Sequence, residues 1–223
     1  MNPIKHLAII LDGNRTWARE NNKIEILGHS QGAKNLEPII KHVIKNQIAY
    51  LSLFVLSTEN LKNRSPKELE HLFTLFTKLL DYSDLFSKYS IQLKIAGNLT
   101  GLPEKVQQAM QKLINKTTDN TGLVLTLCMN YGGRDEIIRA IQKVQDPKTI
   151  TEQSFNQLLD TADLPDIDLV IRTSGHQRIS NFLLWKLAYA EMYFPKVHWP
   201  AFSCQDLDTA LEWYTQTKRK FGK

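Results

Sequence analysis

Short apolar runs alternate with longer amphipathic stretches along this chain. The runs at His6–Leu11, Leu51–Leu56, Gln92–Ala96, Leu123–Met129 and Leu169–Ile171 are brief, rich in Leu, Ile and Val, and bounded by turn residues, as buried strands are. Between them apolar residues recur at helical spacing near Gln31–Lys45, Pro66–Ser87, Pro103–Lys116 and Asp135–Val144. Further helices are expected over Glu152–Leu159, Asn181–Ala190 and Gln205–Phe221. Strands separated by helices predict βαβ units, hence an α/β fold with a mainly parallel central sheet flanked by helices. No repeat, low-complexity tract or long linker breaks the pattern, so one α/β domain over residues 1–223 is expected.

In such a sheet ligands sit outside the carboxyl ends of the strands, so the residues that follow each strand carry the chemistry. They are Asp12-Gly13-Asn14, Ser57-Thr58-Glu59-Asn60, Asn98, Asn130-Tyr131-Gly132-Gly133 and Arg172-Thr173-Ser174. One edge thus collects a carboxylate, amides, hydroxyls and arginines. The stretch from Asp166 to Trp185 is the richest. Its strand delivers Arg172 and Arg178 across a Thr173-Ser174-Gly175 turn, and Ser180-Asn181 is expected to open a helix. Two guanidinium forks, hydroxyls and helix-start N–H groups suit a phosphate or diphosphate, against the plain alternative of a solvated loop.

Other segments leave two readings open. Asp12-Gly13 is a hairpin signal, but the RTWARENNK that follows lacks strand alternation and favours a strand-to-helix turn presenting Asp12 to a ligand. Gly13 there lets the backbone approach an anion closely. His29, after Gly28, either donates to a phosphate oxygen or merely caps its turn. The apolar stripe of Pro66–Ser87 fits a core-facing helix as well as one lining a tunnel. Glu191, alone in LAYAEMYFP, is either an edge residue facing solvent or, with Asp12, a hard oxygen ligand for Mg²⁺.

Composition narrows the classes. Apolar residues make up 42% and charged residues 23%, which places the chain among ordinary globular proteins. No apolar run approaches the roughly 18–20 residues needed to cross a bilayer, and the N-terminal run is too short for a signal peptide, so a cytoplasmic protein is expected. A formal charge of +5 favours anionic ligands without choosing among nucleic acid, phosphorylated metabolites and lipid headgroups. Cys128 and Cys204 show no metal-ligand or disulfide spacing, and Cys128 in LVLTLCM reads as a buried structural thiol. The basic end (Lys218, Arg219, Lys220, Lys223) reads as a solvated helix end.

HLAIILDGN, GHSQG, LSTEN, MNYGGRDEI, RTSGHQRISNFLLW, AYAEMYF and HWPAF, followed by the final FG, occur in one order over nearly the whole chain. Together they resemble the cis-prenyltransferase family, the undecaprenyl diphosphate synthases in particular. The resemblance implies a parallel sheet flanked by helices with an apolar product tunnel. It also implies a homodimer, Mg²⁺ as cofactor, and repeated addition of isopentenyl diphosphate to an allylic diphosphate primer, with farnesyl diphosphate the expected primer and a medium-chain product. It implies no nucleic-acid partner. The product would be delivered to the membrane, by an enzyme that is cytoplasmic or loosely membrane-associated.

Carried over by position, Asp12 resembles the family's essential aspartate, acting with Mg²⁺, and Glu191 its second Mg²⁺ carboxylate. Gly13, Asn14 and His29 resemble the allylic-diphosphate cradle, with Trp17 beside it and Arg15 next to it. Ser57, Glu59 and Asn60, with Thr58 among them, match the Ser-x-Glu-Asn element that places the isopentenyl group for proton loss, Asn60 taking a catalytic part. Arg64 matches the arginine of the following loop. Arg172, Arg178 and Ser180, with Ile179 between the last two, match the isopentenyl-diphosphate site. The chain departs from the family pattern at Thr16, Glu25, Leu61 and His176. Two rival readings follow: a non-catalytic scaffold subunit, to which Thr16 and Glu25 are suited, and a short-chain synthase, to which the bulk of Val55 before Ser57 is suited.

Overall fold

The structure, a computed structural model, describes residues 4–217. Six strands, β1 (His6–Ile10), β2 (Tyr50–Ser57), β3 (Gln92–Ala96), β4 (Val124–Tyr131), β5 (Leu169–Arg172) and β6 (Glu191–Tyr193), form one sheet in the order β3-β4-β2-β1-β5-β6. Every pair is parallel. The helices are α1 (Asn14–Glu20), α2 (Glu25–Lys34), α3 (Leu36–Lys45), α4 (Thr58–Asn63), α5 (Pro66–Thr77), α6 (Ser83–Lys88), α7 (Glu104–Thr117), α8 (Gly133–Ile141), α9 (Glu152–Asn156) and α10 (Cys204–Gln216).

Strand periodicity divides the core in two. Leu7, Ile9, Leu51, Leu53, Leu125 and Leu127 point to one face, where they meet Ile39 and Val43 of α3, Phe76 of α5 and Met110 of α7. Ala8, Ile10, Cys128, Tyr131 and Val170 point to the other, where Phe182, Leu183 and Leu187 cover them. Cys128 is the buried structural thiol that its context suggested, its pKa pushed up by burial.

Three expectations change. The Asn181–Ala190 helix is absent, replaced by consecutive turns. Ser180, Asn181 and Leu183 take positive φ, and Asn181 gives its backbone carbonyl to Gly133 N–H and its side-chain oxygen to Arg134 N–H. Tethering to the start of α8 thus overrides helical spacing, and no helix start follows Arg178. Within the apolar AEMYF stretch, where no strand is expected, Glu191–Tyr193 forms the edge strand β6. The Pro66–Ser87 pattern breaks into α5, a 3₁₀ turn at Lys78–Tyr82, and α6. The end of the helix expected to reach Phe221, with the basic residues after Thr217, lies outside the described residues.

His6 ties β1 to its surroundings. Nδ1 lies 2.8 Å from the Pro165 carbonyl and Nε2 2.8 Å from Ser52 Oγ, so the ring donates from Nδ1 and accepts the Ser52 hydroxyl. Burial, partly offset by the Pro165 carbonyl, pushes its pKa down to about 4. The folded value lies below the unfolded one, so the contribution to stability is complete above about pH 6.5 and is lost as pH falls toward 4. The urea midpoint should therefore drop between pH 7 and pH 5, with His6 contributing on the order of 2 kcal/mol. His6→Gln should flatten that dependence, though not abolish it, because His29 is depressed in the same direction. An unchanged slope in the variant would refute the assignment.

Candidate active site

The chain leaves β1 toward β2 on one side and returns as β5 on the other, and at this switch point a cleft of about 1170 Å³ opens beyond the strand ends. Asp12, Gly13, Asn14, Arg15, His29 and Ser57 line it, as do Glu59, Asn60, Arg64, Arg172, Arg178 and Ser180. The structure therefore brings together most of the residues singled out from sequence. Four stand apart from the cleft lining. Trp17 is half-buried on α1 with Lys23 over its ring at 4.8 Å. Thr58 turns toward Gly132, where an added Cβ would meet its hydroxyl, and Ile179 packs on the second core.

Glu191 is the fourth. It pairs with Leu169, whereas Arg172, three residues on, is level with Ile10 and touches Asp12. At a rise of about 3.3 Å per residue, Glu191 lies roughly 10 Å or more back along the sheet. Within one chain the two carboxylates do not form a pair, because the AEM residues fold as the start of a strand and not as the end of one. Among the described residues no group of three or more His, Cys, Asp or Glu side chains is placed to hold a metal.

The mouth is organised around Arg172, which is 4% exposed. Its Nη2 and Nε reach Asp12 Oδ2 at 2.7 and 3.2 Å, while Nη1 donates to the Arg178 carbonyl at 2.6 Å and Ser180 Oγ at 2.7 Å. The other Asp12 oxygen accepts the Gly13 N–H at 2.8 Å, and the carboxylate stays partly open to the cleft. Gly13 has φ 96°, the left-handed conformation in which glycine carries no steric penalty, so α1 can start at once. Gly28 lies so close to the start of α1 that a Cβ would fall 2.0 Å from the Asn14 carbonyl. Asn14 donates to the Leu11 carbonyl, and its buried Oδ1 has no partner within the described chain.

A second cluster flanks the first. His29 Nε2 is 2.9 Å from Glu68 Oε1, Arg64 Nε is 3.3 Å from the same oxygen, and Arg15 approaches Glu68 Oε2 at 4.0 Å. Burial and the nearby Arg64 cation push the His29 pKa down to about 4 against the pull of Glu68, so the ring is neutral and donates from Nε2. Glu25, where the family often has a basic residue, instead pairs with Arg15 and Arg19. Glu68 is itself buried, and sequence reading missed it. Ser65-Pro66-Lys67-Glu68 looks like a helix start, and Ser65 Oγ does accept the Glu68 N–H, so the capping pattern hid a buried counter-ion. Thr173, which the sequence placed in the turn after β5, ties that turn to Asp12. Its hydroxyl donates to the Asp12 carbonyl at 2.7 Å.

Opposite, Ser57 caps α4 by accepting the Asn60 N–H at 3.0 Å. Burial alone would raise the Glu59 pKa, but hydrogen bonds from its own backbone, Asn181, Ser57 and Thr58 hold it below the usual carboxylate range. Below this polar mouth the cleft becomes apolar, walled by Ile40, Leu53, Val55, Leu72, Phe76 and Leu127. The helix α5 thus serves both the core and the cavity, through one broad apolar stripe.

Residues 10–222 match the family model described as "Putative undecaprenyl diphosphate synthase". The chain is 42% identical to a ditrans,polycis-undecaprenyl-diphosphate synthase ((2E,6E)-farnesyl-diphosphate specific) of Buchnera aphidicola subsp. Schizaphis graminum, over 98% of this chain and 91% of that one. Among solved structures it is similar to lavandulyl diphosphate synthase from Lavandula x intermedia in complex with dimethylallyl diphosphate, with TM-score 0.94, 34% identity and 99% of both chains covered. A probable undecaprenyl diphosphate synthase from Campylobacter jejuni gives TM-score 0.85 at 35% identity over the full length of both.

Removing Glu68 leaves the partly buried Arg64 without its anion, a loss of about 1–3 kcal/mol. Glu68→Ala should lower the melting temperature, and millimolar inorganic diphosphate should restore more of it in the variant than it adds to the wild type. Equal shifts in the two proteins would show that diphosphate does not take the place left by Glu68, and no shift in either that the cluster is no anion site.

Proposed function

The chain belongs to the undecaprenyl diphosphate synthase family of prenyltransferases, and from that premise we propose that it elongates farnesyl diphosphate with isopentenyl diphosphate, with Mg²⁺, to a medium-chain cis-polyprenyl diphosphate. That it is a cis-prenyltransferase follows from the family. The observation that carries the finer reading is the cleft itself, whose cationic, hydroxyl-rich mouth opens into an apolar interior. Pockets for drug-sized ligands measure about 300–1,000 Å³, so a cavity of about 1170 Å³ suits a chain of many isoprene units better than a short one. Retention of Asp12, Asn60, Arg172, Arg178 and Ser180 in one cleft argues against a scaffold, which would have no use for them.

The residues divide the work between two diphosphates. His29, Arg64 and Arg15 lie beside the start of α1 and would hold that of the primer. Arg178 and Ser180, with the remaining donor capacity of Arg172, would hold that of isopentenyl diphosphate. Asp12 stands between, with lone pairs facing the cleft. One carboxylate completed by substrate oxygens is a common way to hold Mg²⁺, so the donor set fits an ion that arrives on a diphosphate. When bound, Mg²⁺ supplies neutralisation of the charge that builds on the departing diphosphate. Ser57 and Asn60, across the mouth, would orient the isopentenyl group as it loses its proton.

The exposed Ile138 and Ile141 on α8 offer an apolar surface to a second copy, in keeping with a homodimer. No helix among the described residues is long and apolar enough to cross a membrane, and delivery of the product to one would require a passing contact.

The deciding experiment is the product spectrum formed from labelled isopentenyl diphosphate, farnesyl diphosphate and Mg²⁺. Medium-chain cis products are expected, abolished by EDTA, and absence of elongation would overturn the proposal. Asp12→Ala should cut turnover by about 10²–10³ or more while the protein stays folded. Near-normal turnover would remove Asp12 from the metal site.

Val55 lies in the cavity wall at a break in the β2–β4 register, with no ladder partner of its own. Its branched side chain narrows the space below Ser57, and overpacking of an apolar wall is costly. Val55→Ala should shift the product distribution to longer chains. An unchanged distribution would show that the limit lies elsewhere.

A further inference from the structure

The segment 195–199 runs beside the mouth, and its backbone is bonded to both the turn after β1 and the turn after β5. The carbonyls of Pro195 and Val197 accept from Gly175 and Ser174 N–H at 2.9 and 2.8 Å, and Trp199 N–H donates to the Asp12 carbonyl at 2.9 Å. The side chain of His198 makes the same connection. Its ring lies on Gly13, where an added Cβ would come within 2.5 Å of Nδ1. Nδ1 is 3.0 Å from Ser174 Oγ, in the turn between Arg172 and Arg178, and Nε2 is 3.1 Å from Glu20 Oε2, in α1. A carboxylate can only accept, so Nε2 carries a proton and donates to Glu20, while Nδ1 shares a hydrogen bond with the Ser174 hydroxyl. Ser174 needs such a hold, because it sits at φ 77° without being glycine.

We infer that His198 is a positioning residue that fixes the Asp12–Asn14 turn relative to the Thr173–Gly175 turn, and with them the two reacting substrates. The inference rests on the proposed function, in which each turn adjoins the residues that would hold a different diphosphate. Each diphosphate keeps its own contacts when His198 is lost, since those come from His29, Arg64, Arg178 and Ser180. What changes is the distance between the two bound molecules. Reaction needs the atoms to approach within about 3–3.5 Å, and a misplacement of about 1 Å can cost up to a hundredfold in rate.

The test compares His198→Leu, which keeps bulk over Gly13 but loses both polar contacts, with His198→Asn, whose amide can still accept from Ser174. Single turnover with enzyme in excess over the primer gives a rate constant unaffected by any inactive fraction. His198→Leu should slow that step by about tenfold while the KM of each substrate stays within about threefold. His198→Asn should recover most of the rate. A His198→Leu rate within about twofold of wild type, a change confined to KM, or a His198→Asn protein as slow as the Leu variant would each overturn the inference. If His198→Leu does not fold, Ser174→Ala and Glu20→Ala, which each cut one contact and leave the ring in place, carry the same test. Failure of the wild-type chain to elongate any allylic diphosphate would instead overturn the proposed function.

Discussion

Burying the charge of Arg172 is the constraint on which the rest of the mouth depends. A guanidinium 4% exposed is tolerable only when a counter-charge and acceptors surround it. Asp12 supplies the charge from the turn after β1, and the Arg178 carbonyl and Ser180 hydroxyl supply acceptors from the far end of the following loop. The loop must therefore fold back over its own strand, and this carries Arg178 to the cleft. The same pairing holds the carboxylate of Asp12 at the edge of the cleft without closing it off.

The second cluster repeats the device with the signs exchanged. Glu68 is the buried anion, and His29, Arg64 and Arg15 gather round it from three elements. On the proposed reading, an incoming diphosphate would meet two guanidiniums, Arg64 and Arg15, already oriented by an internal carboxylate, so little rearrangement would be needed to bind it. The neutral state of His29 follows from the same crowding, because burial and Arg64 together outweigh Glu68. A polar mouth of this kind costs stability, and the continuous apolar core beneath it, shared by the sheet, α3, α5 and α7, offsets that cost.

The parts of this architecture that were legible in the sequence are those written by local pattern. Gln92–Ala96 forms the strand that its apolar run predicted, and Asp12, Ser57 and Arg172 could be placed because strand ends in a parallel sheet all face one edge. What escaped notice depends on partners distant in sequence. The helical spacing at Asn181–Ala190 was real, but contacts with Gly133 and Arg134, almost fifty residues away, fix Asn181 in a left-handed turn. Glu191 sat in a stretch that resemblance alone tied to Mg²⁺; its three-residue strand is too short for periodicity to reveal, and its register sets it back from Asp12. Glu68 was hidden by its own helix cap.

The cavity's two chemistries meet in single elements, which limits how either can change. On α5, Glu68 faces the cationic cluster and Leu72 and Phe76, one and two turns on, face the apolar wall. On β2, Val55 narrows the interior two residues before Ser57 caps α4 at the mouth. A shift of either element to accommodate a longer tail would also move the groups proposed to hold the diphosphates. Small changes of side-chain volume in the wall are therefore a less disruptive route to a different product length than movement of backbone, because they leave the buried charges of the mouth with their partners.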